Sequence, residues 1–151
     1  MKWEKKHTLE ENVEWRGIPE SEMKPFKTYV NEKTPGICGT YAAAALTVLM
    51  AKREEVVTQT MDELLKGMEA SIEYAFPYRG TFYWDVQRGL NNEWKKYGYK
   101  THFNLFSEKV VPALLEDGVP IVVGTTAALG SPYKNHCGVP IRLRFNWQTL
   151  V

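Results

Sequence analysis

The segment Cys38–Arg53 constrains this chain more than any other, because the helix it predicts is apolar on every side. Tyr41, Ala42, Ala45, Leu46 and Leu49 recur at helical spacing, while Ala43, Ala44 and Val48 make the opposite side apolar as well. A helix without a polar face has to be surrounded, so residues 38–53 predict the centre of a domain. Pro35 and Gly36, just before it, favour a turn and place its start.

The rest of the chain is read around that helix. Residues 1–24 are polar and charge-rich, with Trp3, Val13 and Trp15 too sparse for an amphipathic face, and are expected to form an arm; the domain proper spans 25–151. Residues 26–30 predict a short strand. Thr60 followed by Glu63 is a capping-box pattern that predicts a helix to about Tyr74, and Val86, Leu90, Trp94 and Tyr97 form a third helical face ending at Gly98. From residue 99 the period changes. Residues 99–106 predict a strand, Ser107 a cap for a short helix ending near Gly118, 120–126 a β-branched run, and 141–145 a strand alternating apolar residues with arginine. The expected fold is α+β: a helical half packed on a mostly antiparallel sheet. The aromatics Tyr74, Phe76, Tyr78, Phe82, Tyr83 and Trp84, around Pro77 and Gly80, are expected to pack as core beneath a loop rather than to line subsites.

Composition narrows the partners. The chain has 151 residues, enough for one domain, and its 19 basic and 18 acidic side chains nearly cancel, so no global field draws it to nucleic acid or an anionic surface. No stretch approaches the ~20 apolar residues of a membrane helix. The start, Met-Lys-Trp-Glu-Lys-Lys-His, has no apolar core for a signal peptide, so the chain as written is expected to be cytoplasmic, or secreted or at the cell surface had a leader been removed. Two cysteines, Cys38 and Cys137, are too few for a disulfide framework and are expected to be reduced. Nothing in the sequence sets an oligomeric state.

The chemistry-bearing segment is Pro35-Gly36-Ile37-Cys38-Gly39-Thr40-Tyr41-Ala42, which places a thiol where a turn meets a helix. The N–H groups and dipole of a helix amino terminus stabilise a thiolate, and the flanking glycines leave room for a carbonyl to approach. The backbone N–H of Cys38 is then placed to donate to the oxyanion formed on attack. Of the three histidines, His7 lies in the charged arm and His102 among the aromatics of a predicted strand. His136, after a loop and late in the chain, is the candidate base. A zinc site from Cys38, Cys137, His136 and His102 lacks the paired spacing of such sites. Adjacent residues of a strand face opposite ways, so with His136 toward a cleft Cys137 is expected in the core, and a Cys38–Cys137 disulfide is disfavoured.

Gly-Ile-Cys38-Gly-Thr-Tyr-Ala-Ala-Ala and Pro-Tyr-Lys-Asn-His136, joined by helices and then strands, resemble the papain-like cysteine peptidases. Within them the similarity is greatest to the compact bacterial branch that includes double-glycine leader peptidases. The resemblance spans roughly residues 26–136 by order of elements. It implies a papain-like α+β fold in which Cys38 attacks a peptide carbonyl through a thioester and His136 shuttles the proton. It implies a peptide or protein substrate and neither metal nor organic cofactor. The family's oxyanion-hole glutamine falls at Glu32, whose ionised carboxylate donates no hydrogen bond, so the neighbouring Asn31 takes that expected role. No Asp or Glu follows Asp117, so Asn146 is the remaining candidate to orient His136, by way of a chain reversal over 138–140. The resemblance also implies further strands after the histidine, which a shortened carboxyl terminus would lack. The alternative within the same fold is an impaired domain that binds peptides without cleaving them.

Overall fold

A computed structural model describes residues 15–29, 36–74, 81–104, 110–126, 128, 130, 136–139 and 142–144. Residues 15–24, which the composition predicts as part of an arm, are folded: β1 (Trp15–Gly17) leads into α1 (Glu20–Met23). Ile18, fully buried, and Met23 pack on Leu49 of the central helix, and Glu22 pairs with Arg53 at 2.9 Å. Two apolar residues suffice because their partner surface is supplied by another element. A 3-10 turn over Lys24–Thr28 replaces the strand expected at 26–30; Pro25 opens it, where a missing N–H costs nothing.

The central helix, α2, runs over Cys38–Arg53 as its pattern predicts. Ala43 and Ala44 are 0% exposed and Leu49 1%, on different sides of the helix, so it is enclosed. Among the described residues Met61–Ile72 (α3), Tyr83–Trp94 (α4) and the strand His136–Gly138 (β3) pack on it most extensively. The helix α3 (Met61–Ile72) starts at the expected capping box, with the Glu63 carboxylate accepting from Thr60 N–H at 2.8 Å and the Thr60 hydroxyl from Glu63 N–H at 3.3 Å. Leu64, Met68 and Ile72, four residues apart, turn one buried stripe onto α2. Burying each such side chain is worth about 2 kcal/mol. In α4 (Tyr83–Trp94) Val86, Leu90 and Trp94 do the same, and the Trp94 indole donates to the Thr47 hydroxyl of α2 at 3.3 Å. A 3-10 turn over Lys95–Tyr97 then stops at Gly98, whose φ of 82° suits glycine.

Residues 99–104 form no strand. Thr101 donates its N–H to the Asn91 side chain at 2.9 Å, and its carbonyl accepts from the Gln87 amide, so α4 satisfies the backbone that a neighbouring strand would have used. After α5 (Val110–Glu116) the run at 120–126 yields only β2 (Val123–Thr125). This pairs antiparallel with β3 (His136–Gly138), with Gly124 opposite Cys137. Far away in sequence, β4 (Arg142–Arg144) pairs antiparallel with β1, Trp15 opposite Arg144. The chain is thus α+β and mostly helical. Among the described residues the expected single sheet is replaced by two separate two-stranded ladders. No helix among them is long and apolar enough to cross a membrane.

Candidate active site

Cys38 is the first residue of α2, as the turn at Pro35-Gly36 predicts. Gly36 adopts φ 98°, which an L side chain rarely tolerates, and so feeds the chain into the helix. Ile37 precedes the helix and provides no side-chain cap. The cap comes instead from Glu73, just after α3. Its carboxylate accepts from the Thr40 N–H at 3.1 Å and the Thr40 hydroxyl at 3.0 Å, and from the Thr81 hydroxyl. Glu73 is 8% exposed and Thr40 0%, so these are buried, charge-assisted bonds. Gly39 makes room: a Cβ there would lie 2.4 Å from the Thr81 methyl. Sequence reasoning passes over Thr40, Glu73 and Thr81; a hydroxyl in the first turn of an otherwise apolar helix was the available signal.

The Cys38 sulfur faces β3. It accepts the backbone N–H of Cys137 at 3.4 Å, and the Cys137 thiol also donates to it. These contacts outweigh burial and bring the Cys38 thiol down from an ordinary 9.0 to about 6. The Cys137 thiol lowers it most, burial opposes, and the Cys137 N–H and the charge of His136 lower it further, while the Glu73 charge pushes the other way. Cys137 moves up, chiefly through the hydrogen bond of its thiol to the Cys38 sulfur and secondarily by burial.

This corrects the expectation that Cys137 turns away into the core. Among the described residues β3 pairs with β2 alone, so α2 meets the other edge of the strand. A strand edge presents backbone N–H groups outward, and here the Cys137 N–H meets the Cys38 sulfur. His136 is exposed and Cys137 half-buried, and both line one cavity with Cys38. That cavity measures about 330 Å³, and Met23, Phe26, Tyr29 and Tyr41 form its apolar wall. Met23 and Phe26 were not anticipated there, because nothing local marks which apolar residues will meet a distant helix start.

The aromatic cluster is elsewhere. Tyr74, Phe82, Tyr83 and Trp84 are 67%, 45%, 46% and 40% exposed and take no part in the cavity wall, in contrast to the core packing expected of them. Phe82 stacks on Trp84 and Tyr83 on Phe103, so their apolar faces cover one another at the surface. Phe76 and Tyr78 lie outside the described residues. So do His7, Asn31 and Asn146, the last two being the expected oxyanion donor and imidazole orienter. His102 is exposed beside α4, and among the described residues no three His, Cys, Asp or Glu side chains converge as a metal site.

No family model matches the chain, and neither a curated protein nor a solved structure does.

Proposed function

We propose that this protein is a cysteine-nucleophile hydrolase of the papain-like type, cleaving a peptide or amide bond through a thioester. The observation that carries the reading is a Cys38 sulfur held toward its thiolate form at a helix amino terminus, sharing one open cavity with His136. A nucleophile-bearing central helix packed against an antiparallel ladder that carries the histidine supports the papain-like comparison.

In this reaction the Cys38 thiolate attacks the carbonyl carbon, forming a C–S bond while the carbonyl oxygen takes the negative charge. That oxyanion develops at the amino end of α2, where the Cys38 N–H and the helix dipole favour it, and Asn31 remains the candidate from the sequence for a second donor. His136 gives its proton to the leaving amine as the C–N bond breaks. It then takes a proton from the water that hydrolyses the thioester, and Asn146 remains the candidate from the sequence for the residue that orients its ring. The Met23, Phe26, Tyr29 and Tyr41 wall selects a substrate with an apolar side chain beside the scissile bond.

The test is incubation with a fluorogenic peptide library and with iodoacetamide at pH 6. Wild-type protein should cleave peptides bearing apolar residues and be alkylated at Cys38 in preference to a denatured control, and Cys38→Ala should do neither. Peptides bound without turnover would leave the impaired binding domain as the reading. Equal alkylation of native and denatured chains would remove the nucleophile itself.

A further inference from the structure

The adjacency of Cys137 to the nucleophile is more than a hydrogen bond. The two residues are 99 positions apart in sequence, yet the Cys137 backbone nitrogen lies 3.4 Å from the Cys38 sulfur. Both are reduced. Both border the same solvent-reached cavity, whose volume of about 330 Å³ readily admits a molecule as small as hydrogen peroxide. Redox-responsive cysteines share this arrangement: one accessible thiolate beside a second thiol that resolves its oxidised form.

We infer that Cys38 and Cys137 form a peroxide-responsive dithiol, in which Cys137 resolves oxidised Cys38 into a disulfide and thereby spares it from irreversible oxidation. In the first step the Cys38 thiolate attacks one oxygen of a hydroperoxide. An S–O bond forms, the O–O bond breaks, and the sulfur gives up two electrons to become a sulfenic acid, while the departing hydroxide takes a proton to become water. In the second step the Cys137 sulfur attacks the Cys38 sulfur. The S–S bond forms, the S–O bond breaks, and the released hydroxide takes the Cys137 proton. Two thiols and one hydrogen peroxide give one disulfide and two waters. Cys137 needs no large movement, because its backbone N–H already contacts the sulfur it attacks at 3.4 Å. Both thiols are free in this structure, and strand alternation does not keep them apart because the Cys137 N–H faces the Cys38 sulfur.

The dithiol chemistry rests on the thiol pair alone, and only its consequence, reversible loss of the nucleophile, rests on the hydrolase reading. The experiment treats the full chain with one equivalent of hydrogen peroxide at pH 7 and reads intact mass and thiol titre. The expected result is a monomer lighter by two hydrogens, with its thiols falling from two to none and returning with dithiothreitol. Cys137→Ser should instead gain two or three oxygens at Cys38 with excess peroxide, and dithiothreitol should not reverse this. A wild-type chain that gains oxygen, keeps both thiols at that dose, or joins into disulfide-linked dimers overturns the inference. The wild-type mass is informative even if the variant does not fold. A disulfide formed in a protein that cleaves no peptide would refute the hydrolase and leave the dithiol standing, whereas cleavage without the disulfide would do the reverse.

Discussion

The carboxylate of Glu73 holds Thr40 by two bonds, 3.1 Å from its N–H and 3.0 Å from its hydroxyl, and so ties the end of α3 to the first turn of α2. The turn it fixes is the one that begins with Cys38. The same charge also opposes the thiolate, pushing the Cys38 thiol up against the contacts that lower it. Glu73 therefore trades some nucleophile acidity for a fixed nucleophile position.

Replacing Glu73 separates those two effects. Glu73→Gln keeps an acceptor but no charge, so the pH midpoint of Cys38 alkylation should fall, at a stability cost of about 1 kcal/mol in urea unfolding. Glu73→Ala leaves the buried Thr40 N–H and hydroxyl without that acceptor and should cost about 3 kcal/mol. A midpoint that rises in Glu73→Gln would show that the carboxylate helps the thiolate after all.

Alkylation of Cys38 followed against pH should rise through about 6, well below the ordinary 9.0 of a thiol. Stability carries the same signature. The folded state releases the proton at lower pH than the unfolded state, so this contribution grows as pH rises from 6 to 9 and is lost as pH falls through 6. Denaturation midpoints of wild type and Cys38→Ser should diverge over that window.

His136→Ala removes the proton carrier and a charge that favours the thiolate. Peptide hydrolysis should drop ~10² to 10⁴-fold, the usual range for losing a general acid–base group. Alkylation of Cys38 should persist, with its midpoint moved upward, and an unchanged midpoint would place the imidazole too far away to act.

Gly39→Ala sets a small gain against a larger loss. Alanine favours a helix by about 1 kcal/mol over glycine, but the added methyl would sit 2.4 Å from the Thr81 side chain, and overpacking of that kind costs about 1–3 kcal/mol. The net expectation is destabilisation by about 1 kcal/mol with altered Cys38 reactivity, because a displaced Thr81 releases its bond to Glu73. A more stable variant with unchanged alkylation would show that the helix start has slack.

What the sequence by itself determined was whatever neighbouring residues decide among themselves. The all-apolar stretch set α2 from Cys38 to Arg53, the Thr60–Glu63 box started α3, and Gly98 closed the helical run after α4. Helices are legible this way because their hydrogen bonds close within four residues. Cys38 at a helix start was legible for the same reason. Tertiary structure alone decided the strands and most of the site. A strand satisfies its backbone only against a partner, so β1 formed where β4 lay beside it, and residues 99–104, their backbone held by α4, formed none. Glu73 is 33 positions from Thr40 and Cys137 is 99 from Cys38, and no periodicity encodes such pairs. They arise because enclosing an apolar helix brings the end of α3 and the edge of β3 to its amino terminus, where a charge and a thiol meet the nucleophile.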